Sequence, residues 1–297
     1  MKVEVVHSIE ELRRVLVPIR NVRHSIGLVP TMGALHGGHG RLIETARRES
    51  GCVVVSVFVN PIQFDRNDDY SRYPRELSSD LDFCSDRGVD IVFAPSAEEM
   101  YPGPQRAIVE VKEVSDHLCG QFRPGHFRGV ATVVLKLLNI VQPERAYFGE
   151  KDAQQVAVIR QMVKDLNVPV ELVEVPTLRE ADGLALSSRN AYLSTEERNV
   201  APALYRALEA AANLISTGVT CAAEIKKDAL RVFDAHPEIR VEYLEVANAG
   251  DMLPVEQITG PVRVAGAVWI GKTRLIDNVL CSPGVAQIGK SRQSKSS

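Results

Sequence analysis

The segment IGLVPTMGALHGGHGRLIETA, residues 26–46, decides the predicted fold of the first half of the chain. Its first five residues are largely apolar, as in a buried strand, and the residues from about Gly38 to Glu49 have the spacing of a helix. Glycines and two histidines, His36 and His39, connect the two patterns. A strand that passes through glycines into a helix is the repeating unit of an α/β fold, so the segment predicts a sheet flanked by helices.

The same alternation of strand and helix patterns continues as far as Pro176. Strands are predicted at 52–60, 90–95, 145–149 and 169–176, and helices at 76–88, 130–142 and 153–167. The run CVVVSVFVN at 52–60 is the clearest strand, because it is rich in valine and lies between Gly51 and Pro61. This repetition predicts a doubly wound, Rossmann-like parallel sheet with helices on both faces.

The chain beyond Pro176 has a different pattern, which predicts a smaller α+β domain. Ser194 and Glu197 form a capping box that opens a long helix over 195–216, and Pro202 is expected to kink that helix or delay its start. A second helix at 222–235 precedes three strands, at 240–248, 262–271 and 274–280. We therefore expect a Rossmann-like domain at 1–177, an α+β domain at 178–286 and a disordered tail at 287–297.

Composition and charge restrict the class of protein. The 297 residues carry 35 lysines and arginines against 38 aspartates and glutamates, so the formal net charge of −3 gives no broad basic surface for nucleic acid. No apolar run approaches the roughly 20 residues of a membrane span, and the N-terminal residues lack the apolar core of a signal peptide. Five dispersed cysteines without a CxxC pair are typical of reduced thiols. We expect a cytoplasmic protein whose partners are neither nucleic acids nor membranes.

His36 and His39 lie where an open parallel sheet usually binds its ligand, between the carboxyl end of a strand and the start of a helix. Glycines let the backbone approach a bulky anion, and a helix N-terminus offers free N–H groups and partial positive charge. Two histidines three residues apart project to the same side, so the segment predicts a phosphate site. A metal site needs a third ligand that is not evident, and a plain glycine turn with surface histidines stays open as an alternative. The segment matches neither the dinucleotide fingerprint nor the P-loop.

Four segments together resemble a known family. The stretch PTMGALHGGH at 30–39 is similar to the HxGH signature of nucleotidyltransferases that act on the α-phosphorus of ATP. It is followed by FVNPIQF at 58–64, YFGEKDAQQ at 147–155 and DGLALSSRNAYL at 182–193. In this order they resemble the pantothenate synthetase (pantoate–β-alanine ligase) family from about residue 25 to 200, with a weaker similarity in RLIDN at 274–278.

The resemblance implies a reaction in two steps. The carboxylate of pantoate would attack ATP to give pantoyl adenylate and pyrophosphate, and the amine of β-alanine would then release AMP and form pantothenate. It further implies Mg²⁺ to bridge the phosphates of ATP, and a second domain that closes as a lid. A homodimer is expected from the resemblance only, because no coiled coil or other assembly signal appears in the sequence.

The resemblance assigns catalytic roles to His36, His39, Lys151 and Arg189. The histidines would stabilise the charge that grows on the α- and β-phosphates, with His39 in the position of the proton donor. The ammonium of Lys151 would reach the phosphates, and Arg189 would hold the departing pyrophosphate. The positions that match the family's ATP site are Met32, Gly33, Ala34, Leu35, His36, Gly37, Gly38, His39, Gly149, Glu150, Lys151, Asp152, Leu178, Leu186, Ser187, Ser188 and Arg189.

Substrate choice is assigned to Gln63 and Gln155. A neutral amide both donates and accepts, so it orients the hydroxyls and carboxylate of pantoate without a strong ion pair. Gln63 follows the predicted strand at 52–60, which places it at the carboxyl edge of the sheet. The apolar residues that match the pocket around the pantoate methyl groups would serve equally well as core: Val133, Val134, Leu137 and Phe148.

Several features leave alternatives open. Gly40 departs from the family pattern, which has a larger residue there. Arg123 is a candidate partner for a carboxylate, whereas His126 is as readily structural. The rival functions are another HxGH adenylyltransferase with a different acceptor, a metal hydrolase that uses the two histidines, and a nucleotide sensor without catalysis. The sequence leaves undetermined the order of substrate binding, the extent of lid closure and the protonation of His39.

Overall fold

A computed structural model describes residues 3–22, 24–64, 70–71 and 73–283. The tail predicted to be disordered, 287–297, lies outside these residues. The chain divides into two compact units. The first unit comprises the chain up to Glu180 together with Ala185–Ala191. The second unit comprises Ala181–Leu184 and the chain from Tyr192 onward.

The first unit alternates strands and helices, as predicted. Its strands are β1 (Glu4–Val6), β2 (Ile26–Thr31), β3 (Cys52–Val57), β4 (Ile91–Phe93), β5 (Arg145–Gly149) and β6 (Glu171–Val175). Its helices are α1 (Ile9–Asn21), α2 (Gly37–Glu49), α3 (Leu77–Ser85), α4 (Ala97–Met100), α5 (Cys119–Phe122), α6 (His126–Val141) and α7 (Ala153–Asp165). Each predicted strand and helix is present. The pattern did not predict β1, α1, α4 or α5, and α6 begins four residues before its predicted start.

The six strands form one sheet in the order β1-β4-β3-β2-β5-β6, and every neighbouring pair is parallel. The chain moves outward from β2 through β3 to β4 and then returns to β5 on the other side of β2. Such a reversal is the usual ligand site of an open α/β sheet. Because the carboxyl ends of β3, β2, β5 and β6 lie side by side, the loops after these strands meet at one edge. The predicted parallel, Rossmann-like sheet is confirmed.

Apolar burial holds α2 against this sheet. Leu42, Ile43 and Ala46 belong to one buried cluster with Val53 and Val55 of β3. Their spacing along α2 puts all three on one face, as the helical periodicity predicted. The cluster anchors the body of α2, so its N-terminus is presented at the ligand edge by a well-packed element.

Over its described residues, which end at Pro283, the second unit contains three α-helices and a three-stranded antiparallel sheet. The helices are α8 (Thr195–Val200), α9 (Ala203–Ser216) and α10 (Ala222–Leu230), and the strands are β7 (Ile239–Asn248), β8 (Val262–Ile270) and β9 (Thr273–Cys281). The predicted capping box is present, because Ser194 Oγ accepts from Glu197 N and the Glu197 carboxylate accepts from Ser194 N. The predicted long helix is divided at Pro202, which lacks an N–H and ends the regular hydrogen-bond ladder.

The segment between the units folds back on itself. An antiparallel bridge joins Arg179 to Ala185, and the N–H of Leu186 donates to the carbonyl of Leu178 at 2.9 Å. In the structure the first unit therefore ends at Glu180 but also includes Ala185–Ala191. The boundary predicted from the sequence was 177/178. All predicted site residues thus belong to the first unit. No helix in the described ranges is long and apolar enough to cross a membrane.

Candidate active site

The turn after β2 is held by a buried carboxylate. Gly33 and Ala34 adopt left-handed backbone angles, with φ of 80° and 51°. Asp80 of α3 accepts hydrogen bonds from the N–H groups of Ala34 and Leu35 at 3.1 and 2.8 Å. A Cβ atom on Gly33 would lie 2.7 Å from Asp80 Oδ2, so the close approach requires glycine. The sequence did not reveal this role of Asp80, because the residue lies in a helix that carries no motif.

His36 and His39 are fixed by the backbone of the helix start. His36 is the N-cap of α2, and its Nδ1 accepts from the N–H of Gly38 at 3.1 Å. The Nδ1 of His39 accepts from the N–H of His36 at 3.2 Å, and the two ring centroids lie 4.2 Å apart. Because both Nδ1 atoms accept, each neutral ring carries its proton on Nε2. The pair therefore offers two ring N–H donors at the N-terminus of α2.

Both imidazoles are neutral at physiological pH in this structure. Burial and, to a smaller extent, the ammonium of Lys151 lower the pKa of His36 to about 4, while Asp152 opposes the shift. Burial and the neighbouring His36 lower the pKa of His39 to about 3. The protonation that the sequence left undetermined is thus the neutral form for the ligand-free protein.

The GEKD segment lies at the adjacent strand end. Glu150–Asp152 forms a 3₁₀ turn between β5 and α7, and Lys151 Nζ lies 3.8 Å from Asp152 Oδ2. Because β2 and β5 are neighbouring parallel strands, the loops that follow them lie at the same edge of the sheet, and the charges of Lys151 and Asp152 affect the pKa of both histidines. Gly149 has an ordinary φ of −81°, and no atom would lie within 4 Å of a Cβ there. Gly149 therefore borders open space beside the charged turn.

Leu178 and Leu186 lie against the first turn of α2. A Cβ atom on Gly37 would be 3.4 Å from Leu178 Cδ2 and 3.2 Å from Leu186 Cδ2. Ser187, Ser188 and Arg189 follow directly, and within the described part of the chain their hydrogen bonds remain in residues 185–190. The structure therefore brings the two leucines to the histidine loop, and within the described residues Arg189 forms no hydrogen bond with either histidine.

Gln63 is joined to the histidine loop through Met32. Gln63 ends a 3₁₀ turn after β3, is 9% exposed, and donates from Nε2 to Met32 Sδ at 3.0 Å. Its Oε1 accepts from Asn60 Nδ2 at 3.0 Å, and its backbone carbonyl accepts from His126 Nδ1 at 3.0 Å. The loops after β2, β3 and β5 thus place imidazole, amide and ammonium groups at one edge of the sheet.

Comparison with known proteins identifies the family of this chain. The family model described as pantoate-beta-alanine ligase matches residues 4–280. This chain belongs to that family. The pantothenate synthetase of Moorella thermoacetica is 50% identical over 277 residues, which are 93% of this chain and 98% of that protein. The resemblance inferred from the four motifs is confirmed, and the protein is a ligase.

Solved structures of the family have the same fold as this chain. The pantothenate synthetase of Thermus thermophilus has a TM-score of 0.88 and 49% identity, covering 93% of this chain and 98% of that one. The ligase of Francisella tularensis, solved in complex with β-γ ATP and β-alanine, has a TM-score of 0.76 and 36% identity, with coverage of 94% and 97%. Neither a metal hydrolase nor a different adenylyltransferase is favoured by these similarities.

Two adjacent glutamines of the ligase have different environments. Gln154 is buried and structural, because its amide bonds to Cys119 N and to the carbonyls of Val114 and His117. Gln155, in the next position of α7, is partly exposed and has no side-chain hydrogen bond to another described residue. Its amide is therefore available to a ligand.

His126 is a structural residue in the ligase. Its Nδ1 donates to the carbonyl of Gln63, so its Nε2 is left to accept from Arg123 at 3.3 Å. The four predicted pocket residues are all buried core, and burial by itself accounts for their apolar character: Val133, Val134, Leu137 and Phe148. Their contact with pantoate stays a prediction.

The departure at Gly40 has a local explanation. Gly40 is buried, and a Cβ atom there would lie 2.8 Å from Arg87 Nε and 3.2 Å from Phe83 Cζ. The guanidinium of Arg87 stacks on the ring of Phe83 at 3.6 Å from its centroid. The larger residue of the family pattern would displace this pair, so Gly40 accommodates Arg87 in this chain.

Proposed function

We propose that this ligase condenses pantoate with β-alanine through pantoyl adenylate. In the first step a carboxylate oxygen of pantoate bonds to the α-phosphorus of ATP, and the bond to the β-phosphate oxygen breaks to release pyrophosphate. In the second step the amine of β-alanine attacks the acyl carbon, loses a proton and expels AMP. The observation that carries the proposal is that two oriented imidazole N–H donors lie at the sheet reversal, with Lys151 on the turn after the neighbouring strand β5.

His36 and His39 serve as preorganised donors to the phosphates. Their Nδ1 atoms are occupied by backbone N–H groups, so the rings are already oriented before ATP binds. Well-placed donors of this kind are each worth about 3–4 kcal/mol in a transition state. The charge of a bound triphosphate raises the pKa of both rings from its low starting value, which lets His39 act as a proton donor. Lys151 adds a full positive charge.

The remaining site residues divide the substrate contacts among them. Gln63 and Gln155 bind pantoate, since one faces Met32 and the other has an amide without a partner in the described chain. Leu178 and Leu186 bind the adenine end of ATP, because they lie beside Gly37 at the start of α2. Arg189 binds the departing pyrophosphate.

Mg²⁺ accompanies ATP rather than residing in the protein. The described residues contain no group of three or more His, Cys, Asp or Glu side chains that could hold a metal ion. Asp152, whose side chain is 46% exposed, offers one carboxylate beside Lys151. Mg²⁺ is commonly bound through substrate phosphates, waters and one or two carboxylates, and these residues fit an ion that arrives on the nucleotide.

A cytoplasmic location is supported by the thiols. All five cysteines are free, and four of them are buried: Cys52, Cys84, Cys119 and Cys281. Free thiols persist in a reducing compartment.

A homodimer is supported by the segment 104–111, which follows α4 and forms neither helix nor strand. Within the described part of the chain its backbone pairs with no strand, and Ile108 is 52% exposed. A groove of about 200 Å³ between this segment and α6 is lined mainly by apolar atoms. If two copies pair antiparallel about Ile108, Arg106 of one lies opposite Glu110 of the other. Two copies of this segment therefore bring opposite charges together, as the self-complementary interface of a two-fold dimer requires.

The reaction is tested by following isotopically heavy oxygen from the carboxylate of pantoate in a mixture with ATP, Mg²⁺ and β-alanine. Attack on the α-phosphorus predicts that AMP forms only when pantoate is present and that AMP carries the heavy oxygen. Formation of ADP, heavy oxygen in inorganic phosphate, or AMP release that is indifferent to pantoate would overturn the proposal.

The dimer is tested by exchanging charges. Arg106→Glu should shift the protein toward monomer in analytical ultracentrifugation, and the double variant Arg106→Glu with Glu110→Arg should restore the dimer. Ile108→Asp should give monomer, whereas Val17→Asp is the matched control because Val17 is 51% exposed on α1. A double variant as monomeric as Arg106→Glu would contradict the antiparallel pairing.

A further inference from the structure

We propose that Tyr101 is a positioning residue that acts through Asn60 to fix which end of the Gln63 amide faces pantoate. The inference rests on the proposed role of Gln63 in binding pantoate. Tyr101 directly follows α4, on the loop after β4, one strand farther out than the turn that carries Gln63. Its hydroxyl lies 2.8 Å from Asn60 Oδ1.

The orientation of Asn60 follows from a backbone carbonyl. Asn60 is 1% exposed, and its Nδ2 lies 3.1 Å from the carbonyl oxygen of Gly129. A carbonyl only accepts, so the nitrogen of the Asn60 amide must be on that side. The second hydrogen of Nδ2 goes to Gln63 Oε1 at 3.0 Å. The Asn60 Oδ1 then faces Tyr101, whose hydroxyl must be the donor.

The same logic fixes Gln63. Its Oε1 is turned inward to Asn60, so its Nε2 is turned outward to Met32 Sδ, a weak acceptor that leaves the amide able to donate to a ligand. The position thus offers pantoate a hydrogen-bond donor. A carboxylate oxygen or a hydroxyl lone pair is the complementary group, and a donor at that point of the substrate is disfavoured.

Close packing keeps the chain of bonds in place. A Cβ atom on Gly129 would lie 2.5 Å from the carbonyl oxygen of Ile62, so α6 approaches the Gln63 turn closely enough for its carbonyl to reach Asn60. The ammonium of Lys136 lies 5.3 Å from the ring centroid of Tyr101. Burial raises the pKa of Tyr101 well above its ordinary value, so its hydroxyl keeps the proton that it donates.

Removing the hydroxyl releases this arrangement. Asn60 Oδ1 would be buried without a donor, which is costly, and the amide would gain by rotating toward another partner. Rotation of Asn60 withdraws the donor from Gln63 Oε1, and the Gln63 amide is then free to turn its oxygen toward the ligand. The effect reaches pantoate and leaves ATP largely untouched.

The test compares Tyr101→Phe with the wild type by steady-state kinetics. We expect the KM for pantoate to rise about tenfold while the KM for ATP changes less than about twofold. Tyr147→Phe is the matched control, because Tyr147 is fully buried and its hydroxyl lies 3.1 Å from Ser50 Oγ, a residue outside the proposed site. It should leave the KM for pantoate unchanged.

A double-mutant cycle separates positioning from stability. In a Gln63→Ala background, Tyr101→Phe should no longer change the KM for pantoate, whereas any loss of thermal stability should persist. An equal rise of the pantoate KM in both backgrounds, equal rises for ATP and pantoate, or no rise at all would overturn the role of Tyr101. If Gln63→Ala alone leaves the pantoate KM unchanged, the proposed role of Gln63 fails as well.

Gln63→Glu tests the orientation without altering Tyr101. The carboxylate keeps the contact with Asn60 but presents an acceptor where the amide presented a donor. We expect it to weaken pantoate binding more than Gln63→Ala does. Tighter binding by Gln63→Glu than by Gln63→Ala would show that the ligand offers a donor, and the inferred orientation would be wrong.

Discussion

The turns after β2 and β3 orient their functional side chains in two different ways. In the turn after β2, main-chain N–H groups bond to the rings of His36 and His39, and Asp80 holds the main chain itself. In the turn after β3, a side-chain amide is oriented by another side chain, Asn60, whose own orientation depends on Gly129. Backbone control is local in sequence, whereas amide control depends on residues brought together by folding. The turn after β2 is therefore visible as a motif, and most of the support around Gln63 is not.

The largest effect is expected at the turn after β2 itself. His39→Ala removes a donor to the phosphates and should slow pantoyl adenylate formation about 100- to 1,000-fold in rapid-quench kinetics. The fold should be retained, with a modest drop in the melting temperature because the N–H of His36 loses its acceptor. His24→Ala, at an exposed histidine before β2, is the control and should react normally. Accumulation of the adenylate at the wild-type rate in His39→Ala would refute the role given to His39.

The carboxylate that holds the backbone of this turn gives the next effect. Asp80→Asn keeps the shape of the side chain but replaces one of two acceptors, so either Ala34 or Leu35 loses its partner. An unsatisfied buried donor costs about 1–3 kcal/mol, and the loosened turn should also raise the KM for ATP. Chemical denaturation and kinetics measure the two effects. Asp82→Asn, exposed on the same helix, should change neither, and an Asp80→Asn protein of wild-type stability would count against backbone control.

The pH dependence of stability also distinguishes the two turns. His36 and His39 have folded-state pKa values of about 4 and about 3, against an ordinary 6.5, so between these values the unfolded chain binds more protons. The free energy of unfolding should therefore be highest above pH 6.5 and fall as the pH drops toward 4. Denaturation at several pH values should give a shallower decline for His39→Gln and the wild-type decline for Gln63→Ala. Identical slopes for His39→Gln and the wild type would contradict the lowered pKa.

The smallest effect concerns the packing behind the turn after β2. Gly40→Ala gains up to about 1 kcal/mol of helix propensity but pushes Arg87 off Phe83, a contact worth about 0.5–1 kcal/mol. The net change in the free energy of unfolding should be close to zero. In an Arg87→Ala background the same substitution should stabilise the protein. Equal changes in both backgrounds would show that Arg87 does not determine the choice of glycine.

The accuracy of the sequence predictions follows the same division between local and long-range control. Strands such as β3 and helices such as α7 were predicted because their apolar periodicity is a local property. The elements β1, α4 and α5 were missed because each has only three or four residues, too few for a periodic signal to develop. Asp80 and Tyr101 were missed because each is a single polar residue whose partner lies elsewhere in the chain. Asn60 lies in a recognised motif, but its role depends on Gly129 and Tyr101, which are distant in sequence.

The sequence by itself determined the class of fold, the four motifs and the family. Apolar periodicity, glycine turns and motif spacing depend only on residues that are close together in the chain. Only the tertiary structure decided that the strand order reverses between β2 and β5, which brings the loops that carry His39, Gln63 and Lys151 to one edge. It alone decided that both imidazoles are neutral and that Gln63 presents its nitrogen. Burial and hydrogen-bond direction depend on atoms that are distant in sequence and adjacent only after folding.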